Sequence, residues 1–346
     1  MRRLLPALVL VLMAPLVAEL LSGSTPLGQP IVLAFLVPIY LPLYGAGALL
    51  IRELVRRSGR GWASILLLGA AYGLVEEGLV SQSLFNPNLY NAADWGARIL
   101  GINGVFTETV IVIHAVWSAA IPILLTDLLF PDRRNAPYLG RVGLVVTGIC
   151  YALGVALLWL VAHISFAAGY EASPILLGLT ALVTLALVVV ALGVLPRKAP
   201  RPVREISAPH PWVVFLVIGS SGFIWHTVLF LWRIQPMFSH WPLVLLPMLS
   251  SAAIFVGIAW LVSRWSQAQD WNDLHLLALV GGALICHALS GWLSPTHTLA
   301  DRAALTALAL AMAGFLSWFA LRVHRRLSHH DGTLKEPEKT FSVSNR

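Results

Sequence analysis

The feature that most constrains this chain is a series of apolar runs, each long enough to cross a lipid bilayer. Ten can be read: 4–21, 30–51, 62–85, 105–129, 142–169, 174–195, 211–234, 241–263, 274–293 and 299–321. A helix rises 1.5 Å per residue, so a hydrocarbon core of roughly 30 Å asks for about 20 apolar residues. In lipid the backbone polar groups must be satisfied within the segment, which makes the helix the form for runs of this length. Short stretches of Pro, Gly, Asn and charge separate them. The expected fold is an all-α, polytopic transmembrane helix bundle over residues 1–327, followed by a disordered tail over the polar, aperiodic residues 328–346. Composition agrees, with 11% charged residues against about 25% in a soluble domain. So little charge excludes a water-soluble body of this size.

Orientation follows from the connections. Of the 23 Lys and Arg residues, 20 fall on alternate connections and at the two ends, and only Arg98, Arg233 and Arg302 fall on the other side. The basic side is cytoplasmic under the positive-inside rule, so about ten spans with both termini in the cytoplasm are expected. This placement also accounts for the net charge of +7. There is no nucleic-acid motif, and the expected partner is the bilayer, with a bacterial inner membrane as the expected location. Met1, Arg2 and Arg3 before an apolar run have the form of a signal peptide. The run is long for that role and no small-x-small site follows, so it is taken as a retained first span. Cys150 and Cys286 fall at different depths in apolar segments, which argues against a disulfide or a thiolate metal site.

Ionisable groups inside lipid carry the functional information, because each costs several kcal/mol there (about 2.5–3.5 at mid-bilayer). Glu76 and Glu77 lie side by side in the third span, and two adjacent carboxylates repel, so the pair is expected to share a proton. Gly69, Gly73, Glu77 and Ser81 recur every four residues on one face, and the two glycines let a neighbouring helix approach closely. Glu76 is expected about 100° away, on the stripe with Tyr72 and Ser83. His114, His163, His226 and His287 fall with the glutamates in a slab roughly 9–14 Å below the outer surface, a candidate for one polar site in the bundle core. His114 shares a face with Thr107 and Ser118, and His287 with Ser290, Gly291 and Ser294. His226 is flanked by Phe223, Trp225 and Phe230, and His163 by Trp159 and Phe166. The plainer role of His163 and His226 is hydrogen bonding between helices. Glu108 and Asp127 are expected to be solvated at the two interfaces, and Arg233 to snorkel.

The stretch Tyr72-Gly-Leu-Val-Glu-Glu-Gly-Leu-Val-Ser81, with His114 on the next helix, resembles the CAAX protease and bacteriocin-processing group of intramembrane proteases. That family carries Glu-Glu-x-x-x-Arg, Phe-x-x-x-His and His-x-x-x-Asn/Asp on successive motif helices. Glu76 and Glu77 match its paired glutamates and His114 its first histidine. Ser81 stands at the arginine position and Val110 at the phenylalanine position. Ala167, Phe230 and Gly291 stand four residues after the remaining intramembrane histidines. The resemblance implies a water activated by a glutamate, a divalent metal such as zinc held by Glu and His, and hydrolysis of a membrane-protein or peptide substrate. On that basis Glu76, Glu77 and His114 are the candidate catalytic residues. His226, His287, Ser118 and Ser81 are secondary candidates, and His114, Glu77 and His287 are the candidate metal ligands. Two other functions suit the same residues: a proton-coupled transporter built as two five-span halves, and a membrane scaffold whose buried polar groups only fix helix packing.

Overall fold

The computed structural model describes residues 4–89, 98–166, 168–198, 204–231, 235–294 and 297–334. Ten apolar helices follow one another through these residues. They are α1 (Leu5–Leu20), α2 (Pro30–Arg57), α3 (Trp62–Val80), α4 (Gly104–Leu129) and α5 (Arg141–Ser165), then α6 (Pro174–Val194), α7 (Pro211–Leu229), α8 (Leu245–Trp265), α9 (Asp273–Trp292) and α10 (Leu299–Leu334). All but the shorter α1 have the length and composition to cross a membrane. The chain is an all-α polytopic membrane protein. A two-residue hairpin, Arg98–Ile99 paired with Ile102–Asn103, is the one ladder of strands among the described residues.

The helices depart from the apolar runs where polar residues find partners or the backbone breaks. α2 continues to Arg57, past the expected end at 51, because its last turns bury Arg52 and Glu53 instead of releasing them to a loop. α3 stops at Val80, since Gln82 adopts φ 54° and turns the chain. α10 carries the helix to Leu334, through the first residues of the expected tail. Residues 335–346 of that tail and Arg233 lie outside the described residues.

Contacts between connections show which of them share an end of the bundle. Lys198 reaches both the Gly59 carbonyl and Asn135, Arg204 bonds Gln267, and Arg134 and Arg326 both pair with Asp273. These are the arginine-rich connections of the alternating pattern. At the opposite end Gly28 bonds Asp301, His297 bonds the Gly23 carbonyl, and Gln82 accepts from Ala172.

Asp127 corrects the expectation of a solvated acid. It is 3% exposed, and it pairs with Arg52 at 2.8 Å and Arg56 at 2.7 Å while accepting the Tyr138 hydroxyl at 2.9 Å. Arg52, fully buried, also donates to the carbonyls of Arg133 and Ala136, and its guanidinium stacks 3.3 Å above the Tyr138 ring. Burial of an ion pair depends on further hydrogen bonds to its remaining lone pairs and protons, and the 131–140 connection folds over this cluster to supply carbonyls to Arg52, while Arg56 Nε is buried without a hydrogen bond. Glu108 is likewise half-buried rather than solvated, bonded to Ser251 of α8.

The core sits among α1 to α4 and α9, whereas α5, α6, α8 and α10 turn most of their surface outward. Both cysteines are free.

Candidate functional site

The contact of α3 with α4 is set by glycine. A Cβ at Gly69 would lie 2.7 Å from the Ala115 Cα, and one at Gly73 would lie 3.0 Å from the His114 Cβ. With no side chain in the way, α4 comes close enough for His114 to reach the glutamates one turn further along α3.

At that level the α-helical repeat gives way to wider i→i+5 turns. Leu74–Val80 of α3 is π-helical, and so is His114–Ala120 of α4. Leu16–Leu20 of α1 and Leu41–Gly45 of α2 share this form. Such turns are rare and concentrate at functional sites. Ser83, expected on the stripe with Glu76, bonds Glu77. The two carboxylates flank one imidazole, with His114 Nε2 at 3.3 Å from Glu77 Oε1 and His114 Nδ1 at 3.8 Å from Glu76 Oε2.

Each of these groups has a fixed orientation. Ser118 lies 3.1 Å from His114 Nδ1. When its hydroxyl donates there, the imidazole proton sits on Nε2 and points at Glu77. Glu77 Oε2 accepts the Ser81 hydroxyl at 3.2 Å and also that of Ser83. Glu76 Oε1 accepts from the Tyr44 hydroxyl, but Glu76 Oε2 is buried with no hydrogen bond. A buried polar atom without a hydrogen bond leaves a lone pair that a water or an ion can use. The rings of Tyr44 and Tyr72 flank His114, with centroids 6.2 Å and 5.5 Å away.

Tyr44 brings in a residue that the apolar pattern conceals. Its hydroxyl lies 2.6 Å from Glu19 Oε1 and also bonds Glu76. A phenol has one proton to give, so bonding both carboxyls requires one of them to be protonated and to donate to the phenol oxygen. Glu19 Oε2 in turn accepts the Thr25 hydroxyl at 3.2 Å, and Thr25 lies 2.9 Å from the Tyr40 hydroxyl. The site is therefore a cluster of three carboxyls and one imidazole supplied by α1, α3 and α4, with Tyr44 of α2 at its centre. Sequence reading passes over Glu19, although an acid within an apolar run is itself the signal. Nothing in the sequence distinguishes Tyr44 from an ordinary core tyrosine.

The other histidines lie elsewhere. His226 and His287 face each other in a second cluster, with ring centroids 6.1 Å apart. Trp117 of α4 stacks on His287 at 4.8 Å and gives its indole N–H to the Ala283 carbonyl. His226 bonds the carbonyl of Gly222 one turn back. His163 bonds the Trp159 carbonyl of its own helix and lies against the Trp159 ring. The single shared pocket expected of the histidines is thus two clusters, divided by α4, with His163 in neither.

The donor set of the first cluster fits a divalent cation. One ligand atom each from Glu76, Glu77 and His114 lie within 4.8 Å of one another. The oxygen of Glu76 without a hydrogen bond is among the donors this set offers. His287, expected as a ligand, is not in this group, and Glu76 takes its place beside Glu77 and His114.

No curated protein and no solved structure matches the chain. A family profile does match it, over residues 8–202, a stretch that runs from α1 to the end of α6 and holds every residue of the first cluster while stopping short of His226 and His287. By that match, which covers more than half of its length, the chain belongs to an uncharacterized membrane protein family.

Proposed function

We propose that the chain is a membrane-embedded hydrolase of membrane-protein or peptide substrates, similar in plan to the CAAX protease and bacteriocin-processing group. The observation that carries this reading is the convergence of Glu76, Glu77 and His114 within 4.8 Å, with Glu76 Oε2 buried and without a hydrogen bond. In this reading Glu76 holds the attacking water and takes its proton as the water oxygen adds to the scissile carbonyl. That proton then passes to the leaving amine as the C–N bond breaks. Glu77, pinned by Ser81 and Ser83, holds the His114 ring in place, and Ser118 sets which nitrogen carries the proton. Zinc would be held by Glu76, Glu77 and His114, and such an ion makes its bound water a nucleophile near neutral pH.

The test is comparison of the membrane proteome and of added transmembrane peptides after incubation with the wild-type protein or with Glu76→Gln in proteoliposomes. A general base contributes about 10²–10⁴-fold, so cleavage by the variant falls to background. Cleavage that survives Glu76→Gln unchanged would refute this assignment.

A second reading is favoured by one observation: the hydrogen-bonded series Thr25, Glu19, Tyr44, Glu76, which joins the connection after α1 to the buried pair. Such a series suits a proton-coupled transporter. Substrate-dependent proton uptake into liposomes that is lost in both Glu19→Gln and Tyr44→Phe would select it.

A further inference from the structure

A trough of about 660 Å³ lies between α7, α9 and α10, with no residue of the carboxylate cluster in its lining. Its floor is one stripe of α9 from Leu274 to Ala288, and its wall is the facing stripe of α10. Gly281 lies on the floor, and a Cβ there would meet the Phe215 ring at 3.2 Å. Fourteen residues separate the ends of the stripe, so the trough is about 21 Å long along the bundle axis. That exceeds one leaflet, half of a hydrocarbon core of roughly 30 Å, and the lining is almost wholly apolar.

Its two ends differ. One closes on Leu21, after α1, and the other opens at the arginine-rich face between His210 and His324. Two acids lie toward that mouth: Asp273 is engaged by Arg134 at 2.9 Å and 2.7 Å and by Arg326 at 2.7 Å, and Asp270 accepts the Ala208 amide at 2.7 Å. Arg322 beside it stacks on Trp318 and has no carboxylate partner among the described residues. Against these two acids stand Arg134, Arg322 and Arg326, so the mouth keeps an excess of positive charge above an acyl-sized groove.

We propose that this trough binds one acyl chain of an anionic phospholipid from the arginine-rich leaflet, with the headgroup beside Arg322 and His324. The apolar stripe gives the chain its length, and the mouth gives the headgroup its charge. This site is independent of the hydrolase reading, because the carboxylate cluster contributes nothing to it.

The experiment is native mass spectrometry of the purified full chain with added phosphatidylglycerol or phosphatidylcholine of equal chain length. The wild type is expected to retain phosphatidylglycerol over phosphatidylcholine by about fivefold, the effect of about one basic group beside an anionic headgroup. Ala313→Trp fills the trough and abolishes retention of both lipids. Leu310→Trp, on the same helix at a position 68% exposed and outside the trough, leaves retention intact and controls for folding. Arg322→Gln with His324→Ser brings the two lipids to parity without loss of chain binding. Equal retention of both lipids by the wild type, or retention unchanged in Ala313→Trp, would overturn the proposal. So would a wild-type dimer that binds no lipid and becomes a monomer in Ala313→Trp, because the trough would then seat a second copy of the chain.

Discussion

Asp127→Ala tests the buried ion cluster at the arginine-rich end most directly. The substitution removes one carboxylate and leaves two guanidinium groups behind. Arg52 loses its 2.9 Å bond from Nε and its 2.8 Å contact from Nη2, Arg56 loses 2.7 Å, and the Tyr138 hydroxyl loses its acceptor. Arg52 is 0% exposed, so water cannot replace what is lost without opening the 131–140 connection. Breaking a buried pair from one side costs about 3–5 kcal/mol. Glu53, 3.6 Å from Arg52, and the carbonyls of Arg133 and Ala136 remain, which places the expected loss near the bottom of that range, about 3 kcal/mol. Asp127→Asn keeps an acceptor for Arg52 and loses the charge, so its cost is about 1.5–3 kcal/mol, the worth of a hydrogen bond to a charged group. The assay is SDS-induced unfolding in mixed micelles, followed by tryptophan fluorescence. A loss below about 1 kcal/mol for Asp127→Ala, the worth of an exposed pair, would refute the reasoning, because it would mean that water reaches Arg52 in the folded chain.

Three further outcomes follow from the same geometry. Asp273→Ala removes a pair with Arg134 and Arg326, whose side chains are 30% and 40% exposed, and is expected to cost about 1 kcal/mol or less in the same unfolding assay. Gly69→Ala drives a methyl group to 2.7 Å from the Ala115 Cα, backbone against backbone, so α3 and α4 must part. Overpacking of this kind costs about 1–3 kcal/mol, read as a lowered thermal midpoint, with a parallel loss of any metal retained by the purified protein on elemental analysis. Tyr44→Phe strips a hydrogen bond from both Glu19 and Glu76 and is expected to cost about 1–3 kcal/mol. Pairing it with Glu19→Leu measures the coupling, since the double variant costs less than the sum if Tyr44 bridges the two acids.

The number and order of the helices are legible because lipid imposes one rule on every span: a run of apolar residues long enough to cross. Loop charge is legible for the same reason, and the connections it groups are found bonded to one another, as Lys198 is to Asn135 and Arg134 to Asp273. What hydropathy conceals is polar pairing. Arg52, Glu53 and Asp127 look like loop charges, since one residue at a time each would sit in water, and only together do they become cheap to bury. The glycine face of α3 is visible as a four-residue repeat, but the helix it admits, α4 at Ala115, is not. The angle between Glu76 and Glu77 is not visible, because helical-wheel reasoning assumes 3.6 residues per turn and Leu74–Val80 departs from it. The histidines are misassigned for a different reason. Depth along a span can be counted from sequence, but rotation about the bundle axis cannot, so groups at one depth were joined although α4 divides them.

Four of the π-helical turns bear on a single point, the carboxylate cluster, while two others, Ala162–Phe166 and Val190–Val194, hold no residue of it. Glu19, Tyr44, the Glu76–Glu77 pair and His114 each sit in such a turn, on four successive helices. A π turn gives up α-helical hydrogen bonds and widens the helix, so in a bundle that needed only cohesion it would be selected against at each position separately. At Leu74–Val80 the cost is visibly offset: the Ser81 amide and hydroxyl both return to the Glu76 carbonyl at 2.9 Å. The gain is rotational, because a widened turn swings the side chains that follow it toward a common axis without moving the helix. A scaffold could satisfy Glu76, Glu77 and His114 in pairs across ordinary α-helical contacts. It has no need to leave Glu76 Oε2 buried without a hydrogen bond at the point where the four turns meet. Straightening one turn by deletion of Val75 separates the two cases: a scaffold keeps or gains stability, whereas a working site loses its activity and any bound metal together.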